Sequence, residues 1–309
     1  MTMSVQSRPA TPDAGNGGAD ARRKIEAQLA RMQHYFHFER RADRATLDDD
    51  VQTMPHVVAL ANRRHPDLQL FIAETPSAML QRIKAMPPVF HLRCVVRSTE
   101  NTVGGAHHLY ADIRREAHGP ISIVLIEPAD FKYNQNGRAM VLSLLILMMP
   151  DPFFAGRRMS CFNAAAQASG SDCLIFCVDF ALKAHRHTDQ FLALHAIHHG
   201  GRAIGNDADD PVIDQNNRDT LSLAPAHLLP FSFFEHMQSR TALKEIFGAD
   251  DARVIEQIKK MGPPQGRSRN AVHAGNGIEK FMPTSIERCR RRFLLDTLAA
   301  LHGAQASPR

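Results

Sequence analysis

Cys173 is the residue best placed to do chemistry in this sequence, because "GSDCLIFC" puts it at the predicted start of an apolar helix. The amino end of a helix favours a thiolate. A cysteine nucleophile also needs a base, a carboxylate that orients the base, and a hydrogen-bond donor for the oxyanion. Without these partners, a cysteine among apolar residues is more often a small core residue.

The three partner types precede the cysteine in the chain. His107 or His108 begins one predicted strand, and Glu127 ends the next. In a hairpin the start of one strand faces the end of its partner, so a histidine and a glutamate about 20 residues apart can meet side by side. Gln167 offers an amide that, with the peptide N–H of Cys173, would form an oxyanion hole. The joint pattern favours a nucleophile over a core cysteine.

Two other roles for cysteine and histidine are disfavoured. The chain has five cysteines, an odd number at irregular spacing, which predicts free thiols rather than a disulfide framework. In "HRHTDQFLALHAIHH", His195 shares a helical face with His198 or His199, but no H-E-x-x-H pattern accompanies them. We therefore expect no metal, and predict helix-surface and core polar roles for these histidines.

Composition excludes several classes of protein. With 309 residues, 44% of them hydrophobic, the chain can bury a large core. Its most apolar segment, 140–149, is too short to cross a bilayer and is predicted to be a buried strand. The start lacks the apolar stretch of a secretory signal, and Thr2 excludes N-terminal myristoylation. Its polar composition predicts a disordered leader over 1–20.

Positive charge is concentrated near the carboxyl end. Residues 252–309 hold eleven Lys and Arg against four Asp and Glu, within a chain whose net charge is +5. This excess predicts a compact anionic ligand there. Nucleic acid is not expected, because the chain has no Trp, only three Tyr and no recognisable nucleic-acid motif.

The hydrophobic patterns predict one α+β domain over 21–300, with a catalytic core at about 90–200, basic helices at about 225–300 and a flexible tail over 301–309. Strands are predicted at 68–72, "FHLRCVVRST", "HHLYADIRRE", "ISIVLIEP" and "AMVLSLLILM". Helices are predicted at about 21–44 and 49–62, in "TPSAMLQRIKAM", "LIFCVDFALKAH" and "DQFLALHAIHH", and in "PFSFFEHMQSRTALKEIFG" and "SIERCRRRFLLDTLAALHG".

Five motifs in order resemble the YopJ family of type III secreted acetyltransferases, built on the papain-like fold of the ubiquitin-like-protein cysteine proteases. They are "MPHVVALANRRHPDLQL", "GGAHHLYADIR", "SIVLIEPADF", "QASGSDCLIF" and "LPFSFFEHMQS", and the resemblance runs from about residue 48 to 295. It implies a central sheet, flanking helices and a helical basic regulatory region.

The resemblance assigns the site residue by residue. The family histidine precedes an aspartate by five residues, which selects His107, since Asp112 lies five beyond it. Glu127 then matches the acid, Cys173 the nucleophile and Gln167 the oxyanion glutamine. His108 is expected on the opposite face of the strand, in a structural or exposed role.

Two positions depart from the family pattern. Leu174 replaces the glycine after the nucleophile, which narrows the acyl site or repacks the helix start. Glu235 replaces the lysine of the K-H-x-Q-S motif, so autoacetylation at that position is excluded.

The resemblance implies a secreted bacterial effector that enters the host cell through the type III machinery. It would move an acetyl group from acetyl-CoA, through a cysteine acyl-enzyme, to Ser, Thr or Lys of host signalling proteins such as kinases. Inositol hexakisphosphate (IP6) is the implied activator. Arg288 and Arg290 are the first residues expected to bind it, with Arg63 and Arg64 next.

Two alternatives stay open. One is a protease that acts on ubiquitin-like modifiers, although those proteases carry a Trp after the histidine and this chain has none. The other is a catalytically inactive binding effector, for which Leu174 and Glu235 are the support.

Overall fold

The computed structural model describes residues 17–37, 44–98, 107–132, 134–202, 204, 220–261 and 285–303. Most of the predicted leader and tail lies outside these residues. The helices are α1 Gly17–His37, α2 Arg44–Arg64, α3 Pro76–Lys84, α4 Gln135–Met148, α5 Cys173–Arg186, α6 Thr188–His199, α7 Arg240–Phe247, α8 Ala252–Lys260 and α9 Ser285–Gly303. The strands are β1 Leu70–Ala73, β2 Phe90–Arg97, β3 His108–Arg115, β4 Ser122–Ala129, β5 Arg158–Gln167 and β6 Thr220–Ala224. The leader was predicted to extend to residue 20, but α1 already begins at Gly17. The tail was predicted to begin at residue 301, but α9 continues to Gly303.

The six strands form one mixed sheet whose spatial order follows the chain. Strands β2, β3 and β4 are antiparallel neighbours, and Tyr110 of β3 pairs with Ile126 of β4. Strand β5 runs parallel to β4, and β6 runs parallel to β5. The start of β3 therefore lies at the same edge of the sheet as the ends of β4 and β5.

Helices cover both faces of the sheet. One core joins Val95, Tyr110 and Val124 to apolar residues of α1, α2 and α5 to α9. The second joins Cys94, Leu109 and their neighbours to α3 and α4. Alternate residues of the strands enter opposite cores, as the period of two in a strand requires. Among the described residues, no helix combines the length and the apolar character needed to span a membrane.

The predicted strand at 140–149 is wrong, because this segment belongs to α4. Asn134 caps the helix by accepting hydrogen bonds from the N–H groups of Asn136 and Gly137. The buried positions, Met140, Val141, Leu144, Leu145 and Met148, follow helical spacing. Most outward positions are apolar too, with Ile146 66% exposed, and Ser143 is the one polar residue of 140–149, which is too little to mark the helical period in the sequence. Strands β5 and β6 were not predicted.

The segment "PFSFFEHMQSRTALKEIFG" is not one helix. A short 3-10 turn covers Phe231–Phe234, and α7 begins only at Arg240. Ser239 caps α7, because its side chain accepts a hydrogen bond from the N–H of Ala242. Glu235, His236 and Gln238 therefore lie in an irregular connection, where their side chains point to different neighbours.

Candidate active site

The four predicted site residues come from four different segments and meet at one edge of the sheet. His107 directly precedes β3, Glu127 lies in β4, Gln167 ends β5, and Cys173 is the first residue of α5. All four are buried. The antiparallel pairing of β3 with β4 brings the first two together, as the hairpin argument predicts.

His107 is held from two sides. Its Nε2 lies 2.7 Å from Oε2 of the fully buried Glu127. Its backbone N–H donates to Ser98 Oγ at 2.9 Å, and its carbonyl accepts from the N–H of Ser98 at 2.7 Å. Glu127 Oε1 accepts from the N–H of Ala129 at 2.8 Å, which fixes the carboxylate. The imidazole is therefore oriented before any substrate binds.

The electrostatics of His107 favour an imidazolium. Burial alone would lower the pKa of His107, but the charge of Glu127, with hydrogen bonds to Cys173 and Glu127, raises that pKa to about 10. An imidazole that is bound to a carboxylate and contacts a cysteine is placed to exchange a proton with the sulfur.

His108 does not have the position expected of it. It is buried, and its Nδ1 lies 3.3 Å from Cys173 Sγ. The prediction relied on the alternation of side chains along a strand, but β3 begins at His108, so His107 lies before the regular strand. Burial, with the charges of His107 and Arg97, lowers the pKa of His108 to about 3, so this ring is neutral. Two imidazoles with opposite pKa shifts thus adjoin one sulfur.

Gln167 reaches the site through an irregularity in β5. The pairing of β4 with β5 shifts register between Glu127 and Ala129, and Ala165 has a φ of +48°, in the left-handed region that alanine rarely adopts. Gln167 Nε2 donates to the carbonyl of Ser169 at 2.7 Å. An amide nitrogen carries two hydrogens, so one bond leaves the second hydrogen for an oxyanion.

Two residues at the start of α4 also shape the site, and sequence reasoning missed both. Asn134 Nδ2 donates to Glu127 Oε1 at 3.3 Å and lies 3.2 Å from His107 Nε2. Gly137 passes so close to Glu127 that a Cβ there would lie 2.2 Å from Oε2. The polar stretch "ADFKYNQNG", predicted to be a loop although its last three residues begin α4, was the only signal, and nothing in it indicates contact with a carboxylate.

Gly137→Ala is expected to displace Glu127 and lower activity about 10- to 100-fold, because a Cβ 2.2 Å from Oε2 forces the carboxylate or the helix to shift. Gly18→Ala is the matched control, since a Cβ at Gly18 meets no atom within 4 Å. The test compares the rates of acetyl-enzyme formation of the two purified variants. Equal rates would show that Glu127 is not held as the structure indicates.

Leu174, the departure next to Cys173, is fully buried in the core of the α5 face. Its side chain therefore packs the start of α5. Leu174→Ala is expected to cost about 2–5 kcal/mol of unfolding free energy, because it leaves a cavity. Leu142, a leucine of α4 that is 48% exposed, provides the control, and Leu142→Ala should cost far less. Urea unfolding of both variants measures the difference, and similar losses would contradict the packing role.

The four predicted phosphate-binding arginines divide into two groups. Arg288 on α9 and Arg63 and Arg64 at the end of α2 are exposed. Arg64 also pairs with Asp296 of α9 at 3.5 Å, so the two helices meet there. Arg290 has no exposed surface and pairs with Asp50 and Asp172. The expectation that Arg290 binds a surface anion is therefore wrong, because the guanidinium faces the core.

Glu235, the second departure, forms an ion pair. Its Oε1 lies 3.1 Å from Nζ of the buried Lys183, and the same ammonium also contacts Asp179. The chain thus presents a carboxylate bound to a lysine of α5 at the position where the family pattern has a lysine.

The histidines of α6 have core polar roles, as predicted for two of them. His195 and His198 are buried and share Ser122 Oγ, with Nδ1 distances of 2.6 and 2.7 Å, whereas His199 is half-buried. His195 Nε2 also lies 2.9 Å from Asp112, which contacts His91 as well. These three groups have the donor types of a metal site. Arg93 and Tyr110 donate to the other oxygen of Asp112, and the guanidinium disfavours a cation there.

A second group with metal-site donor types consists of Asp179, His236 and Cys289. The ammonium of Lys183 contacts the Asp179 carboxylate, and its positive charge likewise disfavours a cation there. All five cysteines lie within the described residues, where they are buried and form no disulfide. The expectation that the enzyme needs no metal stays a prediction.

A family model described as YopJ serine/threonine acetyltransferase matches residues 25–296. The chain belongs to this family. Among its relatives, the serine/threonine-protein acetyltransferase HopZ1a of Pseudomonas syringae pv. syringae is 22% identical over 263 residues, covering 80% of this chain and 67% of the relative. YopJ of Yersinia pestis is 28% identical over 218 residues, 68% of each chain.

A third relative, the serine/threonine-protein acetyltransferase NGR_a02610 of Sinorhizobium fredii, is 29% identical over 171 residues, and the match spans 62% of its length. Solved structures share the fold. The crystal structure of HopZ1a in complex with IP6 has a TM-score of 0.67 at 18% identity, covering 92% of this chain and 98% of that one. A structure of AvrA with IP6 and CoA has a TM-score of 0.64 at 18% identity, covering 90% and 98%. The predicted α+β, papain-like fold is thereby confirmed.

Proposed function

We propose that this YopJ-family protein is an effector acetyltransferase with a His107–Glu127–Cys173 triad. The observation that carries the proposal is the contact of an oriented, carboxylate-bound imidazole with a buried cysteine at a helix start. Membership of a family described by serine/threonine acetyl transfer supplies the reaction class. Acetyl-CoA is the donor, and Ser, Thr or Lys side chains of host signalling proteins are the acceptors.

The first half-reaction places the acetyl group on Cys173. With the proton on His107, the Cys173 thiolate attacks the acetyl carbonyl, and the oxyanion accepts hydrogen bonds from Gln167 Nε2 and backbone N–H of α5. The intermediate collapses as the carbon–sulfur bond to CoA breaks. His107 gives its proton to the departing sulfur, which leaves as the free thiol of CoA.

The second half-reaction transfers the acetyl group from Cys173 to the acceptor. His107, now neutral, takes the proton of an acceptor hydroxyl or amine as that group attacks the thioester. The new tetrahedral intermediate expels the Cys173 thiolate, and His107 again holds the proton beside Glu127. The high pKa of His107 suits this cycle, because the imidazole then holds a proton readily between the two half-reactions.

IP6 is proposed as the activator, since solved relatives bind it and the chain has a basic carboxyl end. Of the predicted arginines, Arg63, Arg64 and Arg288 have exposed side chains and remain proposed ligands. Delivery into a host cell by a type III secretion machinery is proposed from the family alone.

The test is to incubate the full chain with radiolabelled acetyl-CoA, with and without IP6, and to map the label by peptide mass spectrometry. The expected result is release of free CoA and a thioester on the Cys173 peptide, both greater with IP6. No label and no released CoA under either condition would favour an inactive binding protein. Cleavage of ubiquitin or SUMO chains without acetyl transfer would favour the protease.

A further inference from the structure

Arg290 forms a buried charge cluster with residues far away in the sequence. Its Nε lies 2.9 and 3.0 Å from the two oxygens of Asp50 in α2, and its Nη2 lies 2.6 Å from Asp172 Oδ1. All three side chains are buried, with relative exposures of 1% or less. Asp172 directly precedes Cys173, so α9 reaches the residue next to the proposed nucleophile.

The second oxygen of Asp172 is engaged as well. Oδ2 accepts a hydrogen bond from Gln238 Nε2 at 2.9 Å and another from Ser169 Oγ. The carbonyl oxygen of the Gln238 side chain accepts from the N–H groups of Ala168 and Ser169, at 2.7 and 2.9 Å. The loop between the oxyanion glutamine and the cysteine is thus held at both ends by one network.

This network keeps Asp172 away from the helix that it precedes. Aspartate at an N-cap normally accepts hydrogen bonds from the first free N–H groups of its helix. Asp172 occupies the N-cap of α5 but makes no such side-chain bond. Released from Arg290, the carboxylate could turn onto the first turn of α5, where it would occupy donors and repel a thiolate at Cys173.

Stability alone is a poor explanation for Arg290. Burying an ion cluster carries a large desolvation penalty, and apolar replacements of such clusters are often neutral or stabilising. Arg290 Nη1 is buried without a hydrogen-bond partner among the described residues, which adds to that penalty. Burial raises the pKa of Asp50 to about 6 despite the charge of Arg290. Burial also opposes ionisation of Asp172, but Arg290, Ser169 and Gln238 lower its pKa.

We propose that Arg290 is a positioning residue that acts on Cys173 through Asp172, holding the carboxylate off the start of α5 and compensating its charge. Helix α9 thereby sets the reactivity of the nucleophile. The proposal rests on the acetyltransferase function for its meaning, but the reactivity of the thiol can be measured without acetyl-CoA.

The experiment follows alkylation of Cys173 by iodoacetamide against pH, quantified by peptide mass spectrometry, in the full chain. Arg290→Met is expected to raise the pH midpoint of alkylation and to slow acetyl-enzyme formation about 10- to 100-fold, with the KM for acetyl-CoA unchanged. Arg290→Met combined with Asp172→Asn should restore the midpoint and most of the rate, because the charge that needed compensation is gone. An unchanged midpoint in the single variant, or no rescue in the double, overturns the proposal.

If Arg290→Met does not fold, two other single substitutions still test the proposal. Asp172→Asn and Asp50→Asn each remove one carboxylate from the same guanidinium. Asp172→Asn is expected to lower the midpoint, because it removes a negative charge from the residue next to Cys173, whereas Asp50→Asn removes a charge from α2 and should leave the midpoint nearly unchanged. Equal midpoints in the two variants would show a merely structural role. Alkylation that behaves as expected in a protein without acetyl transfer would refute the proposed function and leave this inference intact.

Discussion

Replacing Cys173 with alanine is expected to abolish both the acetyl-enzyme and the release of CoA. The acetyl group has to bond to this sulfur, so no neighbouring side chain can substitute for it. The loss of one buried atom should cost only about 1 kcal/mol of stability, so the variant should fold. Trapping of the acetyl-enzyme at low pH, with circular dichroism to confirm folding, makes the measurement.

Cys177→Ala is the matched control for this prediction. Cys177 is a cysteine of the same helix, it is also fully buried, and its substitution deletes the same atom. Burial raises the pKa of Cys177 well above its ordinary value, so it is a thiol in the core. This variant should keep the acetyl-enzyme. Loss of labelling in both variants would point to damaged packing of α5 instead of a missing nucleophile.

Replacing His107 with glutamine is expected to slow acetyl-enzyme formation about 10²- to 10⁴-fold, the usual effect of removing a general base. Glutamine cannot hold the proton that Cys173 gives up. The change should also alter stability. Because the pKa of His107 rises from 6.5 to about 10 on folding, its charge stabilises the folded protein fully below about pH 6.5, and this contribution is lost as the pH rises through about 10. The unfolding free energies of wild type and variant, measured across this pH range, should converge near pH 10.

His108→Gln is the control that separates the two imidazoles. Its ring also contacts Cys173, but its pKa is lowered to about 3, so it stays neutral and is too weak a base to hold a second proton near neutral pH. We expect a much smaller loss of rate than for His107→Gln. Combining His107→Gln with Cys173→Ala should cost no more than Cys173→Ala, because members of one catalytic unit are not additive. A larger loss for His108→Gln would assign the base to the second ring.

Much of the candidate site could be predicted from the sequence because its parts lie at the ends of regular elements. A histidine before one strand of a hairpin and a glutamate at the end of the next must lie close together, and His107 and Glu127 do. The start of α5 at Cys173 followed from helical spacing after it. In these cases a local pattern and one pairing rule were sufficient.

The neighbours of the site could not be predicted in this way. Segment 140–149 has Ser143 as its one polar residue, so its pattern fits a strand and a helix equally well. Only packing against α3 and the sheet makes this segment the helix α4. The same helix brings Gly137 against Glu127, a contact that no spacing in the chain expresses. His108 reaches the sulfur because the strand begins one residue later than alternation assumed.

The basic residues near the carboxyl end show most clearly what the sequence determines and what only the tertiary structure decides. Composition established that the carboxyl end is basic and predicted an anionic partner there, and the family resemblance named Arg288 and Arg290 alike as its first ligands. Only the tertiary structure separates the two, because the exposed Arg288 is available to a ligand while Arg290 is buried against Asp50 and Asp172. Those partners lie 240 and 118 residues away. A sequence shows which side chains are charged, but the chain must fold before it is decided which charges face water and which face each other.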